Sequence, residues 1–309
     1  MKHNNPQAPS AVIMIRPHSF WPNGETAGDN SFQRLPGSFS ADQVARDAYK
    51  ECTLAAEKLS DAGVEVHMFE DEGDSTPDSV FPNNWFSTHA GGYVAIYPMY
   101  AANRRAERRQ DVIEMLKRVY RVQEVIDFSG LEQDDLFLEG TGAMVIDHLE
   151  RVVYAVRSKR LSSLALERFC SHFGYEPVVF DAEDGHGAPV YHTNVLMCVA
   201  TDFVMIGLDM IADPVRRDEI VKRFEQSGRT VIALSSDQIS SFAGNALELT
   251  GTSGSILAIS STSAKCLTDT QYDLIKHSVN ILELDIPTIE CAGGSVRCML
   301  AGIHLSKRS

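Results

Sequence analysis

The sequence predicts an α/β fold of about five similar strand–helix units in one closed domain, and three observations carry that prediction. Short runs rich in Val, Ile, Leu and aromatics recur from one end of the chain to the other, each four to seven residues long and bounded by Gly, Asn, Asp or Ser. Stretches with helical periodicity fall between them about five times, which divides the chain into units of about 62 residues. No Pro/Gly/Ser-rich linker or low-complexity run separates the units, so one domain spanning residues 1–309 fits better than two independent ones.

Strands are expected at 11–16, 64–69, 93–97, 143–146, 152–156, 195–199, 203–207, 230–234, 246–249, 255–259 and 296–300. Helices are expected over 41–62, 102–120, 161–173, 214–227 and 268–281. Ser40 before Ala41-Asp42, and Asp213 before Pro214, read as helix starts, while Gly63, Gly174 and Gly228 read as stops. A doubly wound sheet would alternate strand and helix singly, and no glycine-rich phosphate loop opens any helix here.

The 309 residues are 44% hydrophobic and 23% charged, an ordinary globular composition. Lys+Arg 28 against Asp+Glu 42 leaves a net charge of -14, which repels phosphate backbones and argues against a nucleic-acid partner. The apolar runs are too short to span a membrane. The N-terminus has one lysine and a brief apolar run, not the pattern of a signal peptide. Six scattered cysteines without a CxxC pair fit reduced thiols in the cytoplasm rather than a disulfide framework, and no spacing reads as a metal site.

Five clusters could carry chemistry. CAGGSVRCML places Cys298 after Gly293-Gly294 and beside Arg297; a cysteine that reacts as thiolate is favoured by such a cation, whereas Val296, Cys298 and Leu300 could equally alternate on the buried face of a last strand. PDSVFPNNW offers Asp78, Asn83 and Asn84, which also suit turns. FLEGTGAMVID holds Glu139 at a glycine-rich strand entry, as a site acid or a solvated turn residue. GHGAPVYHTNVLMCV puts His192 at the head of an apolar strand, with Asp184 and His186 open to either reading. RSKRL follows a strand and would ordinarily be a basic helix start. Together, a cysteine, a histidine and a glutamate at Gly-bounded strand ends supply a nucleophile, a proton carrier and its orienting carboxylate.

From VIMIRP to VRCML these clusters, in this order, resemble the pentein superfamily of guanidine-modifying enzymes: arginine deiminases, dimethylargininases, agmatine deiminases and glycine amidinotransferases. FPNNW, EGTG, YHTNVLM, FAGNALEL and GGSVRCML are jointly most similar to a bacterial branch of citrulline-utilisation hydrolases. The resemblance implies a five-bladed α/β propeller of ββαβ units with its site in the central channel. It implies Cys298 as nucleophile, His192 as general acid/base, Glu139 as its partner and Asp78 as the acid gripping the substrate's terminal nitrogens. It implies Arg105 and Arg160 as holders of the substrate carboxylate, and Gly293-Gly294 as a pair that lets backbone approach the ligand. Two positions depart from the pattern. Asn84 stands where dimethylargininases carry a second aspartate, and Gly142 stands where the EGGD motif ends in Asp. An amide both donates and accepts, which suits a neutral ureido group better than a guanidinium.

The implied function is a cofactor-free, metal-free cysteine hydrolase cutting a C–N bond of a guanidino or ureido amino acid. Citrulline, giving ornithine, carbon dioxide and ammonia, is the first expectation; arginine deimination, dimethylarginine hydrolysis or amidino transfer are the others, and a homodimer is compatible with all of them. A non-catalytic pentein binder, of the kind represented by a ribosome-binding translation factor, would have no use for the cysteine, histidine and glutamate.

Overall fold

The computed structural model describes residues 5–185 and 187–308; His186 lies outside the described residues. Its strands form five three-stranded sheets. The first is built on β1 (Ala11–Pro17) and β2 (Glu65–Asp71), and the second on β3 (Phe86–His89), β4 (Tyr93–Ile96) and β5 (Glu124–Asp127). The third contains β6 (Met144–Asp147), β7 (Val152–Val156) and β8 (Glu176–Phe180). The fourth contains β9 (Met197–Val199), β10 (Phe203–Ile206) and β11 (Thr230–Ala233). The fifth contains β12 (Leu247–Gly251), β13 (Gly254–Ser260) and β14 (Asn280–Leu284). Strand β15 (Ala301–Gly302) then returns to β1 and completes the first sheet from the other end of the chain.

Each sheet repeats one pattern. Its middle strand pairs antiparallel with one neighbour and parallel with the other. A parallel return needs a long crossover, and a helix supplies it every time: Ala41–Asp61, Gln110–Val119, Ser163–Phe173, Pro214–Gln226 and Asp269–Ser278. The helices pack through an apolar stripe, as Val44, Ala48, Cys52, Ala55 and Leu59 do in the first. Ser40 and Asp213 cap their helices through side-chain oxygens, and the stops at Gly63, Gly174 and Gly228 all have positive φ.

Four strands escape the sequence reading. β3, β5 and β8 begin or end in polar residues or proline, and β14 follows its helix so closely that the apolar pattern runs on through it. The expected strand over 296–300 is mostly a one-turn helix, Val296–Met299, with the strand beginning only at Ala301. Residues 298–301 are all buried, and a run apolar on every side carries no period to read.

Inner strands of different sheets lie against one another: β15 beside β3, β6 beside β9, and β9 beside β12. Each inner strand is preceded by a tight turn or a single helical turn: Pro82–Asn84, Gly140–Ala143, Thr193–Leu196, residues 241–244 and Val296–Met299. These turns pack together, so polar residues far apart in sequence meet at one end of the inner strands.

Four histidines lie in or beside that interior, His89 and His192 buried and His148 and His304 half-buried. Burial, reinforced by cationic neighbours, lowers His89 to about 3, His192 and His304 to about 4, and His148 well below its ordinary value. The unfolded chain binds these protons near pH 6.5 while the folded chain refuses them, so stability falls as pH drops from about 6.5 toward 4. Each group contributes up to about 1.4 kcal/mol per pH unit across that window. In gluconate buffer at constant ionic strength, the urea midpoint is therefore expected to fall steeply between about pH 7 and about pH 5. A flat midpoint over that range would contradict burial of the neutral rings.

Candidate active site

Glu139 and His192 occupy equivalent places, each immediately before the single helical turn that leads into an inner strand. Their side chains meet across the third and fourth sheets, His192 Nε2 to Glu139 Oε2, at 2.7 Å. Burial pushes the Glu139 carboxyl up, but Arg160, the histidine and Arg104 outweigh it and hold the group well below the usual carboxylate range. His192 is lowered to about 4 by burial, so the contact is a hydrogen bond from a neutral ring rather than an ion pair. The anionic oxygen fixes the proton on Nε2 and leaves Nδ1 as a base. Asn84 Nδ2 faces that Nδ1 at 3.5 Å.

Cys298 lies on the last of the five turns, 2% exposed. Its sulfur accepts hydrogen bonds from Asn194 Nδ2 at 3.2 Å and Asn245 Nδ2 at 3.3 Å, donors that would stabilise a thiolate there. Asn245 is held by its own Nδ2 bond to the Asn194 carbonyl and by Arg297 N–H donating to its backbone carbonyl. The preceding turn contains Phe242 at φ 62°, a left-handed conformation that a bulky residue adopts only under constraint. Arg297, expected as the activating cation, turns its guanidinium into a different cavity behind the cysteine. The two amides are what touch the sulfur.

Cys298 and His192 line one small cavity with Asp78, Asn84, Arg104 and Arg160. Asp78 accepts from Asn23 Nδ2 at 2.8 Å and stands 3.6 Å from Arg104 Nε. Arg104 is 2% exposed and donates to Glu107 at 2.9 Å and to Asn84 Oδ1 at 3.4 Å, which sets the orientation of that amide. Arg105 points outward onto Glu132 and the Met99 carbonyl, away from the cavity. Arg160 lines the cavity, but Asp29 already grips it with two bonds of 3.0 and 2.8 Å, and Glu139 lies 3.4 Å away. Asp184 accepts from Ala188 N–H in a turn outside the cavity. Asp29, Arg104, Asn194 and Asn245 go unnamed as site residues in the sequence reading; the last two stand inside the motifs YHTNVLM and FAGNALEL.

The segment 18–39, which carries no helix or strand, roofs the cavity through Thr26, Asn30 and the Asp29–Arg160 pair. The free space is about 10 Å³, room for about one water. Of the glycine pair, Gly294 lines the cavity, whereas Gly293 serves a protein contact. Gly293 has φ 80° and a Cβ there would meet the Asn30 amide at 2.4 Å. Among the described residues, no group of three His, Cys, Asp or Glu is placed to hold a metal, and no helix is long and apolar enough to cross a membrane.

A family profile described as N,N-dimethylarginine dimethylhydrolase, eukaryotic, matches residues 16–305. The chain belongs to this family, within the pentein superfamily. It is accordingly a hydrolase acting on non-peptide C–N bonds. No curated protein matches the sequence. Among solved structures, it is similar to the N-terminal domain of ArgZ, a cyanobacterial arginine dihydrolase, in a cysteine-to-serine mutant bound to substrate. That match has 16% identity and a TM-score of 0.73 over 95% of this chain and 97% of that one. AgrE in complex with ornithine and NAD+ gives 17% identity and a TM-score of 0.74 over 97% of this chain, which spans only 40% of AgrE. A dimethylarginine dimethylaminohydrolase adduct with S-methyl-L-thiocitrulline gives 13% identity and a TM-score of 0.61, over 95% and 99% of the two chains.

The geometry also explains the second departure from the family pattern. A Cβ on Gly142 would meet Asn84 Nδ2 at 2.2 Å and the His192 ring at 2.9 Å. Any side chain at 142 must displace the amide and the histidine together. Gly142→Ala is therefore expected to lower kcat/KM by about a hundredfold, the usual cost of misplacing a catalytic group by an ångström. The mutant should stay folded by circular dichroism, and near-wild-type kinetics would show that the close approach does not matter.

Proposed function

We propose that the protein is a cysteine-dependent hydrolase, one catalytic domain over residues 1–309 with its five sheets closed into a propeller. It cleaves a C–N bond in the guanidino or ureido group of an arginine-like amino acid, in the cytoplasm and without a metal or cofactor. Citrulline is the preferred substrate. One observation carries this reading: the Glu139–His192 pair and the amide-held sulfur of Cys298 converge on one cavity with Asp78 and Asn84.

The Cys298 sulfur adds to the planar ureido carbon after giving its proton to His192 Nδ1. His192 returns that proton to the leaving nitrogen, the C–N bond breaks, ornithine departs, and a thiocarbamate remains on the sulfur. His192 then takes a proton from water, whose oxygen attacks the same carbon; the C–S bond breaks and the proton returns to sulfur. The carbamate released decomposes to carbon dioxide and ammonia. Asp78 accepts from the substrate's terminal N–H groups, while Glu139 keeps His192 in the tautomer with Nδ1 free. The substrate carboxylate reaches Arg160 by exchanging with Asp29, a step that opens the roof. Cys298→Ala is expected to abolish ornithine release while leaving the thermal midpoint within the range of ordinary point mutants. Turnover near wild type would refute the thiol mechanism.

Arginine is the second reading, favoured by the fold shared with an arginine dihydrolase, whose name implies two hydrolytic cuts. Asn84 separates the two. Asn84→Asp replaces the N–H that faces His192 Nδ1 with an acceptor and adds negative charge beside Asp78 and Glu139. A guanidinium compensates that charge and a urea does not. The substitution should therefore lower kcat/KM on citrulline by about tenfold to a hundredfold and narrow or reverse any preference over arginine. The check is the ratio of the two kcat/KM values in both proteins. A wild type that already prefers arginine or a methylarginine defeats the ureido reading.

A further inference from the structure

Behind Cys298, on the far side of the turn that carries it, lies a second, partly open space of about 40 Å³ bordered by residues of β3, β6, β9, β12 and β15. Arg297 projects into it together with His89, His148 and His304, and no Asp or Glu is among the residues that line it. We infer that this cavity is a binding site for a small singly charged anion, of chloride to formate size.

The argument begins with Arg297. Its guanidinium donates to the Leu300 carbonyl at 3.0 Å and pairs with no carboxylate among the described residues. Arg297 is half-buried, and a cation withdrawn from bulk water without a counter-charge favours an acid or an ion beside it. The other interior arginines have acids: Arg104 has Glu107, Arg160 has Asp29, and Arg229 has Asp147 at 2.7 Å. Arg297 alone of these four lines a cavity with no acid as a partner. His89 also borders this space. His89 bonds Ser87 Oγ through Nε2 at 2.7 Å, and its Nδ1 is buried with no hydrogen-bond partner. His148 and His304 stack with ring centroids 4.2 Å apart. Protonated, these rings would add donors around the anion.

The size and the access agree with a small ion. The space admits about one small anion with little water, and sulfate would crowd it. An adjoining surface cleft shares His148 and His304 and is lined by Arg151 and Lys307, with Glu65 as its acid, already paired with Lys307. A charge of this sign is drawn in along such a path.

Binding couples to protons. The groups facing the three histidines are Arg297, Arg151 and His172, all cationic or able to become so, together with the neutral Tyr175 and Ser87. An anion offsets their repulsion and lets a histidine take up a proton, so affinity rises by up to about tenfold per pH unit as pH falls. Chloride should correspondingly flatten the acid-side loss of stability expected in gluconate.

Two measurements on the unaltered protein test this. Crystals soaked in bromide are expected to show an anomalous peak in the cavity beside Arg297. The thermal midpoint in chloride is expected to exceed that in gluconate at equal ionic strength, with the gap widening from about pH 7.5 to about pH 5.5. A cavity without anomalous density overturns the assignment, and so does a peak with no chloride-specific stabilisation, which would mark an adventitious ion only. Arg297→Met, where it folds, should lose the chloride effect; retaining it would equally refute the role given to the arginine.

Discussion

The Glu139 carboxylate is the point on which the interior depends. One oxygen, wholly buried, lies 2.7 Å from His192 Nε2, 3.4 Å from Arg160 and 3.8 Å from Arg104. The arginines are in turn tied to Asp29, Asp78 and Glu107. A buried ion pair adds little net stability over an apolar filling, but removing one partner strands the others at a cost of about 3–5 kcal/mol. The network therefore fixes arrangement more than it adds strength. It joins the second and third sheets to the roof segment and sets the tautomer of the histidine.

Repetition of one unit makes such a network possible. Five turns, each leading into an inner strand, present side chains to the same small region, and each turn is free to carry a different chemistry. One brings Asn84, one Glu139, one His192 and Asn194, one Asn245, and the last Cys298. The strands are invested in packing; the turns carry the polar groups. A left-handed Phe242 and the close packing of Gly142 show that the turns are held by their surroundings rather than by local preference.

The roof adds a further coupling. Asp29 holds Arg160 as an internal carboxylate, so the closed form of the site already satisfies the cation that a substrate carboxylate would need. In the proposed mechanism a substrate carboxylate would take the place of Asp29 without leaving the guanidinium bare.

Periodicity, caps and chain-wide repetition were enough to give about five strand–helix units, the five long helices and most strands, because those follow from near neighbours in sequence; the ββαβ order came from the resemblance. Each of Cys298, His192 and Glu139 had a structural reading as well in its own motif, and only the motifs taken in order, through the resemblance, joined the three as one candidate site. What the chain alone did not settle was phase and partnership. Arg104 and Arg105 are adjacent in a 3-10 helical stretch, where each step rotates the side chain by about 120°, so one is buried at the site and the other faces outward. Asn194 and Asn245 meet Cys298 across 104 and 53 residues, and Asp29 meets Arg160 across 131. Short polar residues in turns look alike until the sheets assemble. Only the packing of the five turns decides which amide reaches the sulfur and which acid reaches the arginine.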